Sequence, residues 1–473
     1  MKQKNDRRNL YIGFSLAIVL VASILFATWG TVSVLGTTSD SDTDFEIYVE
    51  WDDYMRVNDV EFESYQACYD ASIAVDSTGR IYVVWSDQRE REYGPVVQHL
   101  YLSVSDDGGR TFSANRKLEV GSGEGQGKSS IGIGADDRVI ICYQEDHNIY
   151  VASSDDGCVS FTVPVRINPL YELKMAAAPN MVVDGYGVIH IVWNEYYSDV
   201  PSSIEGQEVY YSKSMDGGKS FTDPVKVDDR AGTGDYPKSP SRAIRPALTV
   251  GEDGTIYVVW RDSRNRDDDM NWDIFMSRSI DGGNTFSRDR RVNTDTTNKR
   301  QHSPSAIAAN DLLYISWSSD VPHEDLPTTM RYTISRDRGE SFEEEKVLMG
   351  SIGVTAFSAK NRTVILASSY RDIIAFSEDG TEFASYRRPA PGGKMRDGLF
   401  ITDDRTIYHC SSTTRDIHFS RGELVYMPEE HDNSEKQLKE HITNTQRMLT
   451  ITGIGIGILV LAIATKRKAK PRS

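Results

Sequence analysis

Short apolar runs alternate with polar turns rich in glycine and aspartate through most of the chain. Residues 71–85 read Ala-Ser-Ile-Ala-Val, then Asp-Ser-Thr-Gly-Arg, then Ile-Tyr-Val-Val-Trp. Residues 246–260 repeat this as Pro-Ala-Leu-Thr-Val, Gly-Glu-Asp-Gly-Thr and Ile-Tyr-Val-Val-Trp, and residues 179–193 and 304–317 are weaker copies. Each copy predicts two short β-strands joined by a tight turn. Two apolar segments break the pattern, at residues 10–36 and 448–465. Each is long enough to cross a bilayer, which takes about 20 apolar residues.

A second element follows the strand pairs. It reads Ser-Asp-Asp-Gly-Gly-Arg-Thr-Phe at residues 105–112 and recurs at 214–221, 279–286 and 335–342. A form with Cys158 in the second glycine position covers 154–161, and a shortened form covers 377–383. Turn chemistry explains the pattern. The aspartates Asp107, Asp156, Asp216, Asp281, Asp337 and Asp379 can accept backbone N–H groups within the loop. The glycines admit φ > 0, and the closing aromatic can bury against a neighbouring strand. These aspartates are therefore read as structural.

Each repeat thus supplies four strands, two before a variable loop and two flanking the aspartate turn. Units begin near residues 70, 128, 177, 244, 303, 352 and 396, and the last, residues 398–427, has lost its turn motif. A four-stranded unit cannot bury both faces alone, so the units must stack around an axis. The expectation is all-β: a β-propeller of four-stranded blades over residues 45–427, with seven blades, or six if the degenerate last unit is an adornment. Residues 55–58, Met-Arg-Val-Asn, resemble the fourth-strand run Arg-Val-Asn at 291–293 and are expected to complete the last blade. Cys68 and Cys410 would then lie in adjacent blades, which admits a disulfide, although Cys68, Cys142, Cys158 and Cys410 allow three pairings.

The turn motif resembles the Asp box, S-x-D-x-G-x-T-F/W, of sialidase-like propellers. The resemblance covers roughly residues 71–383. In that family three arginines grip the sugar carboxylate, a tyrosine backed by a glutamate is the nucleophile, and an aspartate is the acid/base. The first-blade R-I-P motif has only a poor match here, Arg245-Pro246, which repeat structure also explains. The resemblance implies weak candidates for an arginine triad, Arg89, Arg264 and Arg371, and for a nucleophile, Tyr196 or Tyr197 beside Glu195. Asp87 and Asp262 open equivalent loops.

Charge changes the picture at the ends. Basic residues flank both apolar segments, at 1–9 and 466–473. Positive residues stay cytoplasmic, so the expected order is a cytoplasmic tail at 1–9, a signal anchor or signal peptide at 10–36 and an extracytoplasmic propeller. A polar stalk at 428–447, a transmembrane helix at 448–465 and a second cytoplasmic tail follow. Gly453 and Gly457 form a GxxxG spacing in the final segment, which admits a homodimer through that helix. The net charge of −17 would repel phosphate backbones and excludes nucleic acid as a partner. Asn361-Arg362-Thr363 is a glycosylation sequon.

Antiparallel order places the second-to-third loops and the blade connections on one face, opposite the aspartate turns. These loops are long and variable, so they form the expected binding face for a glycan or protein ligand. Hydrolysis of a sialidase type is the alternative. Several loops open alike, at Trp85-Ser-Asp87-Gln-Arg89 and Trp260-Arg-Asp262-Ser-Arg264, and these charges are read first as paired loop anchors. Asp267, Asp268 and Asp269 form an acidic insertion whose oxygens could hold Ca²⁺. No cofactor is otherwise expected.

Overall fold

The computed structural model describes residues 47–61, 66–92, 97–121, 125–169, 174–197, 207–229, 243–264, 272–295, 300–320, 329–348, 355–360, 363–368, 373–377, 384–387, 398–402, 405–413 and 415–426. Residues 10–36 and 448–465 lie outside them, as do Asn361 of the sequon, Arg371, Asp379 and Asp267–Asp269. Among the described residues no helix is long and apolar enough to cross a membrane.

Six four-stranded sheets, each made of four consecutive antiparallel strands, follow one another along the chain. Their first strands are Cys68–Val75, Gly127–Ile133, Lys174–Val183, Ala243–Val250, Arg300–Ala309 and Thr355–Lys360, which begin blades one to six. These starts fall within a few residues of the expected unit boundaries. First strands of successive blades touch one another, so they form the inner wall of the ring. Side chains on one first strand satisfy the backbone of the next. Ser72 Oγ accepts from the Ile131 N–H at 3.2 Å, Asn180 Oδ1 from Leu248 at 2.9 Å, and Thr249 Oγ1 from Ala308 at 3.0 Å.

The last unit is not a blade of the same kind, which corrects the expected count of seven four-stranded blades, while Met55 and Arg56 do pair onto its sheet as expected. Its strands Gly398–Ile401, Thr406–Ser412 and Ile417–Tyr426 are joined by Ile47–Trp51 and Met55–Arg56 in a composite five-stranded sheet. The propeller therefore has six four-stranded blades and this composite sheet, which contacts blade six on one side and blade one on the other. The physical reason is that the last unit lost the turn leading to its own fourth strand. Met55 pairs with Phe419 and Arg56 with His418 in its place. Asn58 Oδ1 accepts the Ile417 N–H at 2.8 Å, as Asn293 Oδ1 accepts the Ile274 N–H at 2.7 Å in blade four.

Second strands are buried at nearly every position, for example Ile81–Asp87. A continuous apolar run is what a strand covered on both faces requires. The hydrophobic clusters accordingly bridge neighbours: Ile81, Val83 and Trp85 of blade one pack with Ile417 and Phe419 of the composite sheet, and Val192 and Tyr211 of blade three with Val258 and Trp260 of blade four. Among the described residues, the closing aromatics Phe112, Phe161, Phe221, Phe286 and Phe342 join the cluster with the preceding sheet. Phe112 meets Phe419 edge-on at 4.9 Å, and Phe286 meets Tyr211 at 5.3 Å.

Cys68 and Cys410 lie in one of these clusters, yet both are free, as are Cys142 and Cys158. The disulfide that their adjacency admits is not formed. All four thiols are buried, and burial pushes the pKa of Cys158 up to about 12 and that of Cys68 and Cys142 higher still. A protonated, enclosed thiol is a poor nucleophile. Ellman titration of the native chain is expected to detect none of the four sulfurs and to detect all four after denaturation without reductant.

Candidate functional site

At one end of the ring the Ser–Asp turns are closed upon themselves. Asp107 Oδ1 accepts the Ser105 hydroxyl at 2.8 Å and the Thr111 N–H at 2.9 Å, while its Oδ2 accepts the Thr111 hydroxyl at 2.6 Å. Gly109 N–H donates to Ser105 Oγ at 2.9 Å. Asp156, Asp216, Asp281 and Asp337 repeat the arrangement, with the Ser160, Ser220, Thr285 and Ser341 hydroxyls at 2.5–2.6 Å. The Ser220 and Ser341 hydroxyls lead the hydrogen bonds that hold Asp216 and Asp337 down at about 2. Their oxygens are committed to holding the loops, so this end of the ring is built for architecture.

The opposite end carries the long loops. Here Arg89 and Arg264 occupy equivalent, extensively bonded clasps. Asp87 Oδ2 accepts Trp85 Nε1–H at 2.8 Å and Arg89 Nη2–H at 2.7 Å, and Asp87 Oδ1 accepts the Arg89 N–H at 2.8 Å. Arg89 also donates to Asp59 Oδ1 and Asn115 Oδ1, both at 3.0 Å, and lies 4.0 Å over the Tyr101 ring. In blade four, Asp262 Oδ2 accepts from Trp260 Nε1 at 3.1 Å and Arg264 Nη2 at 2.8 Å. Arg264 reaches Asp229 Oδ1 at 3.2 Å and Asp289 Oδ2 at 2.6 Å, above the Phe275 ring at 4.4 Å. Burial opposes the charge on Arg264, but Asp262 and Asp289 outweigh it and raise its pKa. Each clasp ties the blade's second-to-third loop to the exit of the preceding sheet.

Glu195 is buried and accepts Trp193 Nε1–H at 3.0 Å. Successive residues in a strand point to opposite faces, so Glu195 and its strand neighbour Tyr196 do not face one another. Tyr196 is half-buried, and desolvation raises its pKa. Tyr197 closes the same strand, Ile189–Tyr197. Among the described residues no group of three His, Cys, Asp or Glu side chains is placed to hold a metal ion.

One repeated feature was missed by sequence reasoning. Five first strands carry a bulge in the half nearest the long loops, between Tyr69 and Ser72, Gly127 and Ser130, Ala177 and Asn180, Ile244 and Ala247, and His302 and Ser305. At each bulge a residue other than glycine takes a left-handed backbone: Asp70 at φ 58°, Lys128 at 49°, Ala178 at 53°, Arg245 at 54° and Ser303 at 52°. That conformation costs about 1–2 kcal/mol per residue. The frame is constant while the side chain changes from blade to blade, and Lys128 and Arg245 are exposed. The available signal was the recurring Ala or Pro that opens several copies, because Asp70, Ala178, Arg245 and Ser303 stand immediately before it.

On the outer side, a cleft of about 270 Å³ is lined by residues of blades four and five, among them Arg278, Asp289, Arg290 and Glu340. Glu340 on blade five accepts hydrogen bonds from both Arg278 and Arg290 on blade four, so these cations form a link between blades.

No family model and no curated protein matches the sequence. Solved structures do share the fold. The polysaccharide lyase Uly1 superposes with a TM-score of 0.51 at 9% identity, over 75% of this chain and 89% of that one. A protein of unknown function from Dyadobacter fermentans gives 0.49 at 15% identity, over 80% and 99%. The Hadza microbial sialidase Hz136 gives 0.46 at 13% identity, over 76% and 65%. At these identities the likeness is one of fold: the chain is an all-β propeller of four-stranded blades, similar in architecture to the polysaccharide lyase Uly1.

Proposed function

We propose that this chain is a membrane-anchored, extracytoplasmic propeller that binds glycan ligands through its long-loop face, with its Ser–Asp turns serving as Asp boxes. The row of inner-strand bulges carries this reading. It sets Asp70, Lys128, Arg245 and Ser303 at repeat-equivalent positions around the inner wall, each held in a costly backbone conformation. Strain retained at equivalent positions with differing side chains supports reading this wall as ligand-facing on a rigid frame. Hydroxyl-rich and carboxylated sugars suit such a mixture of anion, cation and hydroxyl. Binding is favoured over sialoside hydrolysis because Arg89 and Arg264 already serve carboxylates of their own clasps. The basic flanks of residues 10–36 and 448–465 support the membrane topology.

The purified full-length chain, applied to a glycan array, is expected to retain a subset of acidic glycans and to release nothing from a fluorogenic sialoside panel. Lys128→Ala and Arg245→Ala are expected to weaken retention tenfold or more, about 1.4 kcal/mol each. Sialoside hydrolysis that is lost in Arg264→Ala but kept in Arg110→Ala would overturn this reading in favour of an exo-acting hydrolase.

A further inference from the structure

The clasps of blades one and four are built on the same plan but differ at one atom type. In blade one, Asp59 and Asn115 hold each other reciprocally: the Asp59 N–H donates to Asn115 Oδ1 at 2.8 Å, and the Asn115 N–H donates to Asp59 Oδ2 at 3.0 Å. In blade four, Asp229 and Asp289 do the same, with the Asp229 N–H on Asp289 Oδ2 and the Asp289 N–H on Asp229 Oδ2, both at 3.1 Å. Asp289 therefore stands where blade one has an amide.

The amide uses its second atom. Asn115 Nδ2–H donates to the Val57 carbonyl at 2.9 Å, two residues before Asp59. The equivalent carbonyl in the second clasp belongs to Val227, at the exit of blade three two residues before Asp229. The equivalent atom on Asp289 is Oδ1, which is buried without a hydrogen-bond partner among the described residues. An ionised oxygen in that place meets neither water nor a donor, whereas a protonated one reproduces the amide's donor. Charge leads to the same conclusion. Blade one's clasp holds Arg89 against Asp59 and Asp87. Blade four's holds Arg264 against Asp229, Asp262 and Asp289, one carboxylate more, with the Asp262 and Asp289 side chains at 0% and 1% exposure. Only a neutral Asp289 restores the balance of blade one.

We propose that Asp289 is held as a neutral carboxylic acid and that its deprotonation loosens the junction between blades three and four, making this clasp a pH-responsive element of the ring. The other charges nearby do not replace the missing donor. Arg264 already bonds Oδ2, Arg278 and Arg290 bond Glu340, and Arg291 pairs with Asp273 at 2.8 Å; Arg288 also borders the cleft. Burial drives Asp289 up to about 7 against the pull of Arg264, while Asp229 is lowered through its bonds to Asp289 and Arg264. A carboxyl whose folded pKa exceeds its unfolded one binds more protons when folded. Its contribution to stability is then present in acid and is lost as pH rises towards the folded pKa. The clasp is tight near pH 5 and weakened near pH 8. This inference is independent of what the loop face binds.

The test compares thermal unfolding of the full-length chain, Asp289→Asn and Asn115→Asp from about pH 4 to pH 9. Asp289→Asn is expected to match the wild type near pH 4, about the unfolded carboxyl value, to draw ahead as pH rises from there towards 7, and to stay ahead by several degrees at pH 8. Asn115→Asp installs the same element in blade one and is expected to match the wild type near pH 4 and to fall below it as pH rises towards 7. Parallel profiles of wild type and Asp289→Asn would overturn the proposal. So would an Asn115→Asp deficit of equal size at every pH. If Asp289→Asn does not fold, the missing donor was not the defect and the proposal fails on that result as well.

Discussion

Asp262→Ala is expected to destabilise the propeller by about 3–5 kcal/mol, the cost of breaking a buried ion pair by removing one of its members. The side chain is fully enclosed and accepts from Trp260 Nε1, the Arg264 backbone and the Arg264 guanidinium. Its loss leaves an indole N–H without its acceptor in the core and strips the Arg264 guanidinium of a fully enclosed carboxylate. Urea unfolding with a lowered midpoint and unchanged slope would register the effect. Asp87→Ala should behave alike, because Trp85 and Arg89 make the same demands. A midpoint within experimental error of wild type for both variants would show that the clasps do not anchor the loops.

Gly283→Ala is expected to cost about 2–5 kcal/mol, combining roughly 1–2 for a left-handed alanine with about 1–3 for overpacking. Gly283 has φ +89°, and a Cβ there would overlap Cε1 of the Tyr211 ring and stand 2.7 Å from its hydroxyl. That ring cannot withdraw freely, since its hydroxyl lies 2.8 Å from His190 Nδ1 and its face is met by Phe286. Gly254 provides the control. Its φ is +77°, but a Cβ at that position would have nothing within 4 Å, so Gly254→Ala should cost only the conformational share. Equal losses at the two positions, read by the same urea titration, would show that the contact with Tyr211 is unimportant.

Much of the fold was legible because each blade repeats the same local problem. Ile-Tyr-Val-Val-Trp at 81–85 and 256–260 announces a strand covered on both faces, and both runs are buried second strands. The match between residues 55–58 and 291–293 extended to single hydrogen bonds, through Asn58 and Asn293. What stayed hidden depended on distance and on half-turn geometry. Asp59 and Asp229 are separated from Arg89 and Arg264 by 30 and 35 residues, and no periodicity links them. The bulges at Asp70 and Arg245 add one residue to a strand, which an apolar pattern cannot reveal. Arg89 and Arg264 could be singled out from their loops, but their role follows from partners on the preceding sheet. The proximity of Cys68 and Cys410 was also legible, whereas their remaining reduced was not.

The composite sheet has a consequence for how the molecule is made. Asn58 meets Arg415 and Ile417 across 357 and 359 residues of intervening chain. Joining such distant segments is entropically demanding, and non-local pairing of this kind slows folding. A ribosome adding about 5–20 residues per second releases the N-terminal strand tens of seconds before its partner exists. Until then that strand is an unsatisfied edge, and the newborn arc presents a second edge at each newly finished blade. Biogenesis therefore passes through an open crescent that must be kept from pairing with other chains, and the final strand to emerge acts as the latch.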